Sequence, residues 1–287
     1  MAVAAHGARR ARMTEVAEAN AANNARGDAA RRRRWRPARA AAWALLEARV
    51  APGARVAVVG AGNGHDVPLT RLARRAGRLD LIDLDAAALR GARRRAITRA
   101  PAPPTRVRAL AQDVTGGAAD ALVAAAPGVP APGRAVPPAG PLGDGPYDLV
   151  VCDLMLSQLL YPALCRRGLP GGQVDAVLLR DGQRLTDAVV ARLHAAAPGG
   201  AVVLLHDLLG WWDGHPQPFA LEEVLQLARH DPAAALRRAR TGSLPYGCDP
   251  WLATRRAGAR VIETRLWRWP FAPGADYLVC GLVTERT

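Results

Sequence analysis

The chain has no lysine. All 39 of its basic residues are arginine, set against 25 acidic ones, for a net charge of +14 over 287 residues. Phenylalanine (2) and methionine (3) are almost missing, and aromatics reach only 5%, while alanine, glycine and proline are abundant. A skew this uniform is the mark of a GC-rich coding bias, of the kind an actinobacterium-like host imposes. The overall charge is therefore weak evidence for a polyanionic partner, and only a local cluster counts. Cysteine is limited to Cys152, Cys165, Cys248 and Cys280, with no C-x-x-C pair, so the spacing suggests neither a zinc site nor a redox pair. Cys152 and Cys280 lie in apolar strand-like runs, where cysteine acts as a small core residue, and a reducing cytoplasmic setting fits. No apolar run approaches the ~18 residues of a membrane span, so no membrane partner is expected. The N-terminal arginines are followed by no apolar h-region, so no secretory leader is expected either.

A chain of this length can bury a substantial core, as one large α/β domain or a domain with an appendage. Residues 1–36 read as a basic N-terminal arm, flexible or helical, outside the main fold. Its one dense basic cluster runs from Arg31 to Arg36 and includes Trp35. Pro37 then opens a helix over 38–50, with Trp43, Leu45 and Leu46 on its apolar side. From there strands and helices alternate: strand 55–59, helix 65–76, strand 79–83, helix 86–99, strand 105–110, helix 118–126, strand 147–152, helices around 157–164 and 174–197, and strand 201–205. Such alternation predicts a parallel sheet with helices on both faces. Residues 127–146 are rich in Pro and Gly and read as a surface loop. Residues 207–250 read as an insertion of helices and loops. Two strand-like runs, 260–267 and 276–284, follow with no helix between them, joined at Phe271-Ala272-Pro273-Gly274 as a hairpin.

The most informative stretch is Val56 to Gly64, an apolar run ending in Gly60-Ala61-Gly62-Asn63-Gly64. Nineteen residues after Gly64, at the end of the next apolar run, stands Asp83. A glycine turn after one strand and a carboxylate after the next is how an α/β sheet holds adenosine: backbone close to the ligand, carboxylate on the ribose hydroxyls. Singly, each residue has a plainer explanation. Asp83 reads as an exposed strand end, Asp113 as a helix cap and Asp153 as a turn residue. Their joint placement at successive strand ends, where open α/β sheets bind ligands, is what points to a site. A nicotinamide fingerprint would need G-x-G-x-x-G, and the third glycine here comes one position early, before His65.

Over residues 38–284 the chain resembles the class I S-adenosylmethionine-dependent methyltransferases. The resemblance implies a three-layer α/β Rossmann-like methyltransferase fold over residues 37–287. Its seven-stranded, mostly parallel sheet would have the order 3-2-1-4-5-7-6 and a C-terminal antiparallel β-hairpin. It implies S-adenosyl-L-methionine as cofactor and S-adenosyl-L-homocysteine as product. Gly60, Ala61, Gly62, Asn63 and Gly64 match the glycine loop under the methionine part. Asp83, followed by Leu84, matches the ribose acid, with Asp85 as a less suitable substitute. Gln112, Asp113 and Val114 match the segment that contacts adenine. Asp153 ends the fourth strand, which faces both cofactor and acceptor, and Pro198-Gly199-Gly200 matches the turn before the fifth strand. The family often carries an acid two residues before the first glycine, contacting the cofactor's amino group. Here that position is Val58, so Asp66 or Asp153 would have to receive the ammonium.

Methyl transfer from an activated sulfonium needs alignment above all, and a base only when the acceptor loses a proton. Two groups fall where an acceptor would sit: Asp153 with Ser157, Gln158 and Tyr161, and His206-Asp207 with Trp211 and Trp212. Aromatics beside polar groups suit a planar or cationic acceptor, although lid packing would explain the tryptophans equally. His206 or Asp153 is the expected base. Asp153 and Asp207 match two metal positions of catechol-type O-methyltransferases, but Leu208 stands where the third ligand belongs, so no metal is expected. The implied activity is methyl transfer to a small molecule or peptide, in bacterial specialised metabolism. An RNA acceptor gripped by Arg31–Arg36, or a cofactor-binding protein without turnover, are the alternatives. The amino-methylating Asn/Asp-Pro-Pro-aromatic motif is absent after the fourth strand, and a solvated arginine face is the simpler account of the cluster.

Overall fold

The computed structural model describes residues 14–25, 29–98, 106–126, 140–215, 217–242 and 247–286. Parallel strands need a crossover between them, and the alternating pattern supplies one after each of the first four strands. The strands are β1 (Arg55–Val59), β2 (Arg78–Asp83), β3 (Arg106–Ala111), β4 (Leu149–Asp153), β5 (Ala201–Trp211), β6 (Ala259–Ala272) and β7 (Ala275–Arg286). They form one sheet in the order β3-β2-β1-β4-β5-β7-β6. β1 to β5 run parallel, and β7 is antiparallel to both β5 and β6. This is the sheet implied by the resemblance.

Side-chain alternation builds two cores from the same strands. Ala57, Val59, Val150, Cys152, Val202 and Leu204 face one way. Helices α1 (Glu15–Ala25), α6 (Ala118–Ala125), α7 (Tyr161–Arg166), α8 (Gly171–Val177) and α9 (Gln183–Ala196) pack on that face. Val56, Val58, Leu149, Val151, Val203 and Leu205 face the other way. There they meet α3 (Arg36–Leu46), α4 (Leu69–Arg75) and α5 (Ala86–Thr98). Three short helices, α10 (Leu221–His230), α11 (Pro232–Ala239) and α12 (Pro250–Arg256), fill the segment between β5 and β6.

Several boundaries differ from the sequence expectation. α4 begins only at Leu69, because Pro68 occupies its N-cap position. The helix expected around 157–164 is a 3₁₀ turn (Leu156–Gln158) followed by α7, with Pro162 in the first turn of α7. The helix expected over 174–197 starts at Gly171 and contains a π turn at Leu178–Gly182. β5 runs six residues past Leu205, its last pairing with β4, and pairs with β7 alone from His206 onward. The segment read as an insertion from 207 therefore begins inside a strand. The hairpin turn is tighter than expected: Ala272 pairs with Ala275, leaving Pro273 and Gly274 (φ 71°) as the central residues of a type II turn.

Residues 15–25 and 29–34 form helices, α1 and α2 (Ala29–Arg34), and they dock on the fold rather than extending from it. Val16 and Ala19 of α1 are buried in the first core. Trp35 is 5% exposed and sits 4.9 Å edge-on from Trp269. The expected arm over 1–13 and most of the expected loop, 127–139, lie outside the described residues. Among the described residues, no helix is long and apolar enough to cross a membrane.

Candidate active site

The glycine loop leaves β1 and is pinned at once to β2. The N–H groups of Gly60 and Ala61 both donate to the Ile82 carbonyl, at 2.9 and 3.2 Å. Gly60 has φ 76°, and a Cβ there would lie 2.9 Å from the Met155 Cβ and 3.1 Å from the Asp153 carbonyl. Only glycine fits both constraints. The Gly62 N–H donates to Asp83 Oδ2 at 2.9 Å, so turn and carboxylate form one unit. Gly64 stands behind the loop, its N–H on the Ala61 carbonyl at 2.7 Å and its α-carbon against Leu69. Gly60, Ala61, Gly62, Asn63, Asp83 and Leu84 line a cavity of about 550 Å³. Gly64 does not.

Asp83 is 8% exposed, and burial pushes its carboxyl above the usual range. Its Oδ1 accepts from the Asp85 N–H at 2.8 Å and from Asn20 Nδ2 of α1 at 2.6 Å. Asp85 itself caps α5 through the N–H groups of Ala87 and Ala88, and also accepts from Asn24 Nδ2. α1 thus lies directly across the Asp83 carboxylate, a contact that the expectation of an outlying arm misses.

On the next strand end, Gln112, Asp113 and Val114 line the cavity. Gln112 is held by the Gly143 N–H and the Pro141 carbonyl. Asp113 accepts from Thr115 and from the Gly117 N–H, the residue that caps α6, so its carboxylate is already occupied by local turn geometry.

The middle of the cavity holds two carboxyl groups. Asp153 is 3% exposed, and among the described residues no N–H or hydroxyl group donates to either of its oxygens. Its neighbour is Asp66, another carboxyl. Burial first, then Asp66, pushes Asp153 well above the ordinary carboxylate range, and burial likewise raises Asp66. Asp66 accepts from the Val67 N–H, and the adjacent pair holds together by sharing a proton or by receiving a cation. Immediately after Asp153, Leu154 adopts φ 48°, the only positive φ of a non-glycine residue among the described residues. Strain of this kind concentrates at binding sites.

Ser157, Gln158, Tyr161 and Asp207 line the far end of the cavity. Ser157 Oγ lies 2.6 and 2.8 Å from the two oxygens of Asp207. The other residues expected there are elsewhere. His206 is fully buried and absent from the cavity wall, because alternation along β5 turns it toward Cys248, 4.0 Å away. Burial lowers its imidazole to about 4, so it is neutral and unreachable. Trp211 bonds the Phe219 carbonyl at 3.1 Å, and Trp212 stacks on His215; neither lines the cavity. The aromatic wall comes instead from Trp269, Phe271 and Tyr277 of the β6–β7 hairpin, with Trp35. The period-two spacing Trp267-x-Trp269-x-Phe271 was the available signal.

The basic cluster ties the arm to that hairpin. Arg34 donates to the carbonyls of Pro270 and Phe271, at 3.2 and 3.3 Å, and Trp35 Nε1 donates to Phe271 at 3.1 Å. Arg31 lies over the Trp35 ring, 5.1 Å from its centroid.

No protein-family model matches the chain, and no curated protein matches it. Solved structures do. Magnesium protoporphyrin IX methyltransferase from Synechocystis PCC 6803, crystallised with S-adenosylhomocysteine, is 16% identical over 86% of this chain and 80% of its own, with a TM-score of 0.44. A putative methyltransferase from Bacillus halodurans C-125 is 11% identical over 85% and 98%, with a TM-score of 0.45. A methyltransferase from Thiobacillus denitrificans, in complex with S-adenosyl-L-homocysteine, is 16% identical over 85% and 90%, with a TM-score of 0.43. These are similarities of fold, and the fold assignment here rests on the strand order itself.

Proposed function

We propose that the chain is an S-adenosylmethionine-dependent methyltransferase acting on a small molecule or peptide, with S-adenosylhomocysteine as product. One observation carries this reading: the cavity that begins at Gly62 and Asp83 continues onto Asp153, which is buried, and Asp66, which is half-buried, two adjacent carboxyls. The resemblance leaves the methionine ammonium without its usual acid, since Val58 takes that place, and these carboxyls offer a replacement. A nicotinamide dinucleotide would bring its anionic pyrophosphate to the same part of the wall, where the carboxyls repel it.

The residues fit the cofactor in three places. The glycine loop lets backbone approach, Asp83 takes ribose hydroxyls, and Asp66 with Asp153 takes the ammonium. When bound, S-adenosylmethionine supplies a methyl group already activated on a sulfonium. The chain's own task is then to exclude water, hold the acceptor in line, and remove a proton where the acceptor carries one.

An RNA acceptor is the weaker reading. The tryptophan that would stack on a base, Trp35, is packed against Trp269, and Arg34 is engaged with backbone carbonyls.

Calorimetry with S-adenosylmethionine, 5′-methylthioadenosine and NAD⁺ tests the proposal. S-adenosylmethionine should bind most tightly, and Asp153→Asn should reduce its advantage over 5′-methylthioadenosine, which lacks the ammonium. Binding of NAD⁺ as tight as that of S-adenosylmethionine would reject the assignment.

A further inference from the structure

We propose that Asp207 is the proton acceptor for methyl transfer, and that the acceptor molecule is a planar, mostly apolar compound presenting a hydroxyl or an uncharged amine to it. This rests on the methyltransferase reading above.

The geometry singles out Asp207 among the candidate bases. His206 does not reach the cavity, and Asp153 is engaged with Asp66. Asp207 is 5% exposed, yet it lines the cavity together with Ser157, Tyr161 and Tyr277. It sits where the β5–β7 register shifts, between Asp207 and Leu209, and a bulge of this kind re-aims a side chain. Its only side-chain hydrogen-bond donor among the described residues is Ser157.

The groups around Asp207 are Ser157, Tyr277, Cys248 and His206, whose Nδ1 lies 3.8 Å away. None of them is a cation at neutral pH. Burial pushes Asp207 up to about 7, against the opposing hydrogen bond from Ser157. Burial also raises the Cys248 thiol, and it takes Tyr277 to about 12. Asp207 is thus the member of this group that exchanges a proton near neutrality.

The walls define the rest of the acceptor. Trp269, Phe271 and Tyr277 pack with ring centroids 5.1 to 5.8 Å apart, giving an aromatic surface beside the carboxyl. The class is therefore a hydroxylated or amino-substituted aromatic compound.

In the step, the acceptor's O–H or N–H bond breaks and its proton passes to a carboxylate oxygen of Asp207. The acceptor atom's electron pair forms the new bond to the methyl carbon. The S–CH₃ bonding pair stays on sulfur, leaving a neutral thioether.

The test uses the full chain, first titrated with S-adenosylmethionine, then saturated with S-adenosylhomocysteine and titrated with 6-hydroxyquinoline, 6-aminoquinoline and quinoline at pH 8. The hydroxyl and amino probes should bind at least about tenfold more tightly than quinoline, as expected for a hydrogen bond to a buried charge. Asp207→Asn should remove that preference while leaving cofactor affinity unchanged. With labelled S-adenosylmethionine, transfer to 6-hydroxyquinoline should fall by roughly 10²-fold or more in Asp207→Asn. Ser157→Ala, which keeps the carboxylate but deletes the donor that favours its charged form, should keep the probe preference and move the kcat/KM profile to higher pH. Equal binding of the three probes, binding of none, or an unchanged preference in Asp207→Asn would overturn the assignment. Failure to bind S-adenosylmethionine in the first titration would instead bring down the methyltransferase reading beneath it.

Discussion

Replacing Asn20 with alanine should tighten adenosine binding. A carboxylate offers about four acceptor positions, and three of those on Asp83 are taken, by Asn20, the Asp85 N–H and the Gly62 N–H. A ribose diol donates twice, so one resident donor must yield. The two N–H groups belong to backbone fixed by the glycine turn and the start of α5, whereas the Asn20 amide lies on a side chain. Its 2.6 Å bond to a buried carboxylate is worth about 1.5–3 kcal/mol, and breaking it on binding is a cost that the wild-type affinity carries. Alanine removes that cost without undocking α1. The helix keeps the bonds from Asn24 to Asp85, from Val16 N–H to Asp120 and from Asn63 to the Asn24 carbonyl, and it keeps Val16 and Ala19 buried. After allowance for slight loosening of the helix, about 1.4 kcal/mol remains, a tenfold gain in affinity. Calorimetry with S-adenosylhomocysteine on wild type, Asn20→Ala and Asp83→Ala measures it, the last variant being expected to lose most of the binding. An Asn20→Ala protein that binds less tightly than wild type would refute the reasoning, because Asn20 would then be helping to hold the ribose.

Asp80 accepts from Arg78, Arg108 and Tyr147, and although burial alone would raise it, these bonds hold it at about 2. A depressed carboxyl stabilises the fold above its unfolded value of 3.8, and the benefit is lost as pH falls toward 2. Asp80→Asn should therefore cost about 2 kcal/mol at pH 7, read as a lower midpoint in urea; an unchanged midpoint would mean the two arginines do not need this counter-charge. Asp207 has the opposite sign. Its folded value near 7 lies above the unfolded 3.8, so the native state loses stability as pH rises from about 4 to about 7, by roughly 4 kcal/mol. Urea unfolding at pH 4 and pH 8 should show Asp207→Asn gaining on wild type at the higher pH, and a constant difference would count against the raised value. Trp35→Ala should lower stability by about 3–5 kcal/mol through the emptied contact with Trp269, without changing filter-binding of RNA. A selective loss of RNA binding would restore the nucleic-acid reading of the arginine cluster.

The sheet was legible because parallel β/α units write their period plainly: Val56 to Val59 is a short apolar run and Leu79 to Ile82 is apolar but for Asp80, each closed by turn residues. The glycine loop and Asp83 stand out for the same reason, since both fall at strand ends, and they line one cavity. The far end of the cavity was not. β5 was cut at Leu205, where pairing with β4 stops, but β7 supports the strand through Trp211 from the other side, and that support is a long-range contact without local trace. Ending the strand there makes His206 an expected base and Trp211 an expected acceptor contact, although the strand's alternation hides the first and packs the second on Phe219. The arm was misjudged because α1 has little amphipathic signal: it docks through asparagines, which a hydrophobic pattern does not register.

The clasp of Trp35 on Phe271 joins residues 236 positions apart, and it sets an order of events during synthesis. The glycine loop, Asp83 and α1 leave the ribosome early and meet within the first third of the chain. The aromatic wall exists only once the final hairpin has emerged, and until then the outer edge of β5 has no β7 to pair with. A nascent chain stopped before Trp269 would hold the glycine loop and Asp83 without the aromatic wall, beside an exposed apolar strand edge prone to join its neighbours. The β6–β7 hairpin thus both completes the aromatic wall and pairs the outer edge of β5, so the cavity and the sheet beside it depend on the same late contact.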